Sequence, residues 1–255
     1  MSSNSSVHVF GFGVRVITQI TLESNYLLPQ MEKVFHCEHD PRISEYLANI
    51  GCREVSLKHL YEDGRPREEV YQEICDTIIE AAQAGTKCAY LAPGNPVFLN
   101  TIVFKLRDFT SRHGIPFFVY SGVSSIDTLL TDLFIPIEAT GLQCFEATHF
   151  VRMKPVIDKR VPLLLFQPGV VEAYDIRRTV GVYLPGVKLL QDTLIELYGT
   201  DRKWILLRSA MSTDESPVIS TGVLSDLIEK ASHLKLGTLL IPGNWECDKY
   251  LDKMR

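Results

Sequence analysis

Five short apolar runs rich in β-branched and aromatic residues, at 7–11, 33–37, 54–57, 87–92 and 116–120, alternate with helical stretches in the first half of this chain. Helices are predicted near 42–50, 66–84 and 98–113, with another beginning at Ser124. Such alternation implies βα units, because neighbouring parallel strands need a crossover and a helix is the usual one. The prediction is an α/β fold with a largely parallel N-terminal sheet. The segment Ile135-Pro136-Ile137-Glu138-Ala139-Thr140-Gly141 breaks the alternation and is read as the boundary between two domains, 1–135 and 141–255. In the second, α/β or α+β, strands near 161–167, 203–208, 217–221 and 237–242 flank helices near 186–198 and 223–233.

Parallel sheets place ligands at the carboxyl ends of their strands, and pockets favour domain interfaces. Three strand-end loops have the backbone freedom for that task. Gly11 and Gly13 follow the first strand, Gly94-Asn95-Pro96 follows the strand at 87–92, and Gly122 precedes a helix that Ser124 or Ser125 can cap. Asp127, three residues after Ser124, makes a capping-box-like pattern. Gly11-Phe12-Gly13 is not a dinucleotide fingerprint, because Val14-Arg15-Val16 follows where a third glycine and a helix start are required.

The segment Tyr61-Glu62-Asp63-Gly64-Arg65-Pro66-Arg67-Glu68-Glu69-Val70-Tyr71 reads as a turn at Asp63-Gly64 running into a helix. Pro66 suits the first helical position, and Glu68 and Glu69 meet the positive end of the helix dipole. Arg67 and Tyr71, four apart, share one helical face, and Tyr61 arrives from the preceding loop. Taken alone, such residues are more often a surface pair and a loop plug than a catalytic site.

The order and spacing of these pieces resemble the tetrapyrrole methylase superfamily over nearly the whole chain. The carrying segments are Val9-Phe10-Gly11-Phe12-Gly13, Val34-Phe35-His36-Cys37 before Asp40-Pro41, Pro93-Gly94-Asn95-Pro96-Val97-Phe98, Gly122-Val123-Ser124-Ser125, Phe145-Glu146-Ala147, Leu165-Phe166-Gln167 and Gly237-Thr238-Leu239-Leu240-Ile241-Pro242. Within that superfamily, the spacing Tyr-x5-Arg-x3-Tyr at Tyr61, Arg67 and Tyr71 resembles the catalytic helix of the borosin α-N-methyltransferases, which methylate peptide backbone amides with S-adenosylmethionine. The resemblance implies a cleft between the two domains holding S-adenosylmethionine. The residues it implies for that cofactor are Gly94, Asn95, Val97, Ser124, Ser125, Gln167, Ala210, Gly237 and Thr238. It also implies a homodimer.

The chain departs from the borosin pattern in the acceptor region. The family has Tyr-Gly-His-Pro-Gly-Val-Phe where Pro93–Phe98 stands here, one residue shorter and without the tyrosine and histidine, and a further family tyrosine falls on Lys58. Two enzymatic readings follow. In the first, Arg67 and Tyr61 stabilise the oxyanion of a backbone amide while Tyr71, its pKa lowered by Arg67, accepts the proton. In the second, the same groups act on an indole or other electron-rich ring N–H and the methyl goes to carbon C3, with Tyr26 helping to hold the ring. Corrin-ring methylation is disfavoured by the absence of a Gly-Pro-Gly-Asp-Pro turn, and a non-catalytic cofactor-binding domain by retention of all three of Tyr61, Arg67 and Tyr71. Because the sequence ends at Arg255, thirteen residues after Pro242, with a short charged tail, the acceptor is expected in trans as a peptide or small molecule.

Composition excludes other classes. A net charge of −5 without a basic stripe disfavours a nucleic-acid partner. No apolar stretch reaches the roughly 18 residues of a membrane span. The polar N-terminus Met1–Ser6 has no signal-peptide pattern, so the expected location is cytoplasmic. The six cysteines lack paired metal spacing and read as reduced thiols. His36-Cys37-Glu38-His39-Asp40 looks metal-like, but positions 36 and 39 of an extended segment point to opposite faces, so no metal is expected. His59 and His149 each lie near a motif; His59 is a candidate substrate contact, although a lone histidine is more often a packing or surface group.

Overall fold

Apolar strands that need cover on both faces explain the first half of the molecule. The computed structural model describes residues 5–230 and 237–246. It divides the chain into two compact units, 1–128 with 211–215 and 129–210 with 216–255. The division falls at Thr128, upstream of the expected boundary at 135–141. Residues 1–4, 231–233 of the predicted helix, Cys247 and the tail beyond it lie outside the described residues.

In the first unit β1 (Ser6–Gly11), β2 (Lys33–His36), β3 (Glu54–Ser56), β4 (Lys87–Ala92) and β5 (Phe117–Tyr120) form one sheet in the order β3-β2-β4-β1-β5. Every pairing in it is parallel. Central β1 is buried throughout and β4 from Cys88 to Ala92, as expected of strands covered on both faces. The helices are α1 (Leu22–Leu27), α2 (Pro41–Asn49), α3 (Arg67–Gln83) and α4 (Thr101–His113). In α3, Val70, Ile74, Ile78 and Ala82 recur every four residues and are buried, while Glu69, Gln72 and Glu73 stay in water. Pro66, read as the first helical residue, instead sits in the N-cap position with extended ψ of 124°, so α3 starts one residue later. Phe10, Phe12, Val34, Ile43, Leu47 and Leu91 belong to one buried core cluster.

In the second unit β6 (Gln143–Glu146), β7 (Leu163–Phe166), β8 (Lys203–Arg208), β9 (Val218–Val223) and β10 (Thr238–Ile241) form a sheet in the order β6-β7-β10-β8-β9. Only β6 and β7 pair in parallel; the other three pairings are antiparallel. Its helices are α6 (Ile137–Thr140), α7 (Ala147–Met153) and α8 (Leu184–Tyr198), and α5 (Ser125–Leu133) runs through the division. The core includes Phe150, Leu163, Leu165, Val187, Leu190, Leu194 and Trp204. The helix predicted over 223–233 is replaced, in its described part, by a single 3-10 turn at Leu224–Asp226. The Asp226 carboxylate explains the stop: it accepts from Val223 N at 3.2 Å and Trp204 Nε1 at 3.1 Å, binding locally instead of letting a helix continue. The strand β6 and helix α7 were not predicted. Glu146 joins them as a side-chain cap, accepting from Thr148 N at 3.0 Å and His149 N at 2.8 Å. Among the described residues no helix is long and apolar enough to cross a membrane.

Candidate active site

A strand end, a 3-10 turn and a helix start bring the predicted catalytic residues together in the first unit. After β3, the turn Lys58–Leu60 delivers Tyr61, whose N–H bonds Lys58 O at 3.2 Å. The loop then reverses at Gly64, with φ of +83°, and Arg65 ties it to α3 through Glu73 at 2.5 Å. The rings of Tyr61 and Tyr71 lie 6.2 Å apart, tilted by 47°. Their hydroxyls are hydrogen-bonded, and the bond raises Tyr61 and lowers Tyr71, so Tyr61 is the donor. Tyr61, Arg67 and Tyr71 are all half-buried.

Their protonation differs from the sequence expectation in one respect. Burial pushes the Tyr71 hydroxyl up, and the Arg67 guanidinium opposes this without overcoming it, so Tyr71 is raised above its ordinary value and not lowered. Burial pushes Tyr61 up as well, and Tyr71 and the charges of Cys37 and Glu38 add to it. Both tyrosines are therefore proton-bearing donors near neutral pH.

Three further residues join the pair that sequence reasoning did not connect to it. Cys37 and Glu38 follow β2, and buried Tyr90 lies on β4, the neighbouring strand. Tyr90 donates a hydrogen bond to Cys37 and is itself raised by burial. Burial pushes the Cys37 thiol up to about 12. Glu38 is raised to about 7, by burial first and by the like charge of Asp40 second. The signal was available in part: Tyr90 alternates with outward neighbours on a predicted strand, but its partner strand is known only once the sheet order is seen.

The neighbouring His36 is structural and not a metal ligand. Its Nε2 meets Glu54 Oε1 at 2.7 Å, and its Nδ1 accepts from Glu38 N at 3.2 Å, a pattern satisfied by the tautomer with its proton on Nε2. Ser44 Oγ donates to the same Glu54 oxygen at 2.7 Å. Among the described residues no three His, Cys, Asp or Glu side chains converge as a metal site.

The predicted cofactor loops of the first unit meet backbone to backbone. Gly94 N donates to Gly13 O at 2.9 Å and Phe12 N to Ala92 O at 3.0 Å. A Cβ on Gly11 or on Gly122 would stand 2.4 Å from Gly94 O, so only glycine permits this approach. Gly94 itself has φ of +64°, and Ser124 lies just beyond its open side. Asn95 Oδ1 accepts from Val97 N at 3.1 Å, leaving Val97 half exposed. The capping box forms as expected: Ser124 N donates to Asp127 Oδ2 at 2.8 Å and Asp127 N to Ser124 Oγ at 3.4 Å. Ser125 opens α5. Backbone amides and neutral side chains dominate here, which fits a cationic sulfonium better than a phosphate.

In the second unit Gln167, Ala210, Gly237 and Thr238 share one end of the sheet. Antiparallel β10 starts where its neighbours finish, with Thr238 opposite Leu207 of β8 and Leu239 opposite Leu165 of β7. Gln167 follows β7 in a left-handed conformation, φ +57°, and is exposed, whereas Ala210 after β8 is buried. The two predicted substrate contacts lie elsewhere in the first unit. Tyr26 is on α1, 74% exposed, and exposed His59 sits near Glu73 on the outer side of α3, whose carboxylate its charge stabilises.

A family model described as Tetrapyrrole (Corrin/Porphyrin) Methylases matches residues 6–222. The chain is similar to the methyltransferase/ribosomally synthesized cyclic peptide lentinulin A precursor of Lentinula edodes, with 26% identity over 95% of this chain and 58% of that protein. It is similar also to the corresponding gymnopeptides precursor of Gymnopus fusipes, with 27% identity over 98% of this chain and 60% of that protein. It thus spans 58–60% of the length of these curated relatives. In fold it resembles the uroporphyrin-III-C-methyltransferase from Thermus thermophilus, with a TM-score of 0.65 at 19% identity, covering 99% of this chain and 97% of that one.

Proposed function

Because the chain belongs to the tetrapyrrole methylase family, a family of S-adenosylmethionine-dependent methyltransferases, we propose that it methylates an acceptor with a weakly acidic N–H, and that this acceptor is a peptide backbone amide. The observation that carries the reading is the hydrogen-bonded Tyr61–Tyr71 pair with Arg67 one helical turn before Tyr71. The peptide acceptor is supported by the relatives, whose names join a methyltransferase to a ribosomally synthesized peptide precursor.

When bound, S-adenosylmethionine supplies an electrophilic methyl group on a sulfonium. The residues proposed to hold it are Gly94, Asn95, Val97, Ser124 and Ser125 of the first unit and Gln167, Ala210, Gly237 and Thr238 of the second. The chain's own task is to make an amide nitrogen nucleophilic. That nitrogen is unreactive because its lone pair is shared with the carbonyl, and losing its proton places negative charge on the oxygen. Arg67 donates to that oxygen from its guanidinium. Tyr71 is the second donor: Tyr61 spends its own proton on the Tyr71 oxygen, which leaves the Tyr71 O–H directed to the acceptor. Each such donor is worth on the order of 10²–10³ in rate when charge develops in a site shielded from water. The reading includes a homodimer, which light scattering tests.

The deciding experiment incubates the protein with methyl-labelled S-adenosylmethionine and two acceptor panels, linear peptides and indoles. Label on a peptide backbone nitrogen is expected. Label on an indole carbon, or on neither panel, overturns the peptide reading.

A further inference from the structure

We propose that Glu38 is the base that takes up the proton leaving the acceptor N–H, directly or through one water, while Tyr61 and Tyr71 keep theirs. This rests on the methyl-transfer reading above. Glu38 lies two residues beyond β2, in the same cluster as Tyr61 and Tyr90, near enough for its charge to act on both hydroxyls. Its main chain is pinned by the bond from Glu38 N to His36 Nδ1, and His36 is held in turn by Glu54 and Ser44. The carboxylate itself is half-buried and makes no hydrogen bond or ion pair among the described residues. A carboxylate withdrawn from water without a partner is costly, and such groups concentrate at functional sites.

The charged and titratable neighbours single it out. On its own segment, Asp40 is engaged by Arg42 at 2.6 Å and is held below the usual carboxylate range by that hydrogen bond, so its protonation lies far from neutral pH. The Cys37 thiol is pushed up by burial to about 12. From the loop after β3, Tyr61 is raised, and from β4, Tyr90 is raised, each by burial first. Glu38, at about 7, is the member of this group that changes protonation at neutral pH.

The step balances without further reagents. The acceptor N–H bond breaks and its proton forms an O–H bond on the Glu38 carboxylate. The electron pair left on nitrogen forms the bond to the methyl carbon, and the pair of the methyl–sulfur bond stays on sulfur, which ends neutral. Solvent then takes the proton from Glu38.

The test uses full-length protein labelled with [δ-13C]glutamate, with Glu38→Gln to assign the signal and Glu38→Asp as the conservative variant. A glutamate resonance titrating near pH 7, absent in Glu38→Gln and shifted by Tyr61→Phe, is expected. A Glu38 midpoint in the ordinary carboxylate range overturns the proposal whether or not an acceptor is found. With the peptide that accepts label, kcat should rise with pH through about 7; Glu38→Gln should lower it on the order of 10²-fold and abolish that limb. Glu38→Asp should keep the limb at reduced rate, and calorimetric affinity for S-adenosylhomocysteine should stay within about twofold in both. A Glu38→Gln enzyme that keeps the acid limb refutes the role, whereas failure of both acceptor panels refutes the peptide reading and, with it, any role for Glu38 on that substrate.

Discussion

The rings of Tyr61 and Tyr71 stand 6.2 Å apart at 47°, with a shared hydrogen bond, although the two residues reach this point from different elements. Tyr61 caps a 3-10 turn and Tyr71 lies in the second turn of α3. The bond makes the pair an oriented donor.

Arg67→Ala and Tyr71→Phe are each expected to lower turnover by about 10²-fold or more, as for loss of an oxyanion donor, with little change in cofactor affinity. Tyr61→Phe should cost less, about tenfold, because it orients Tyr71 without bonding the acceptor. Steady-state methyl transfer alongside calorimetry with S-adenosylhomocysteine checks all three. Near-normal turnover in the Arg67 or Tyr71 variant removes the assigned roles.

Glu38 also makes a prediction about stability. Its folded-state pKa, about 7, lies above the ordinary 4.5, so its contribution is fully present below about pH 4.5 and is lost as pH rises through 7. Glu38→Gln carries no charge and escapes that loss. The variant should therefore match the wild type in urea near pH 4.5 and exceed it by about 1–3 kcal/mol at pH 8, a range set below the full shift because the group is partly exposed. Equal stabilities at pH 8 would show that Glu38 is not held in a desolvated site.

Gly122→Ala should destabilise the first unit by about 1–3 kcal/mol, since its Cβ would meet Gly94 O at 2.4 Å and the Gly11 backbone at 2.7 Å. Because the strain falls on the Gly94 loop, affinity for S-adenosylhomocysteine should drop as well. Gly51→Ala provides a comparison: its Cβ has open space, although its φ of +75° carries a backbone cost of its own. Thermal melts and calorimetry separate the two effects, and unchanged binding in Gly122→Ala removes the loop from the cofactor site.

The thiols of Cys37, Cys75 and Cys88 are each pushed up to about 12 by burial, so thiolate is scarce at pH 8. Native protein treated with iodoacetamide at pH 8 should leave these three unmodified, and denatured protein should label them all. Peptide mapping by mass reads the outcome, and rapid native labelling of Cys37 would mean that the β2 exit is open to solvent.

Much of this architecture is local information. Apolar runs such as Cys88–Ala92 and the four-residue recurrence of Val70, Ile74, Ile78 and Ala82 define strand and helix through the geometry of a single element, which neighbouring residues suffice to set. The same holds for the Ser124–Asp127 capping box and for Arg67 and Tyr71 on one face of α3. The 3-10 turn at Leu224–Asp226 escaped prediction because Asp226 stops it by reaching Trp204, a residue on another element. The sign of the Tyr71 shift was misjudged for a related reason: proximity to Arg67 is visible in the spacing, whereas burial depends on everything packed around the ring. Only tertiary structure placed β2 beside β4, and with it Cys37 and Glu38 beside Tyr90 and Tyr61, residues far apart along the chain. Sheet order and desolvation are properties of the assembled fold, and the protonation of Glu38 follows from both.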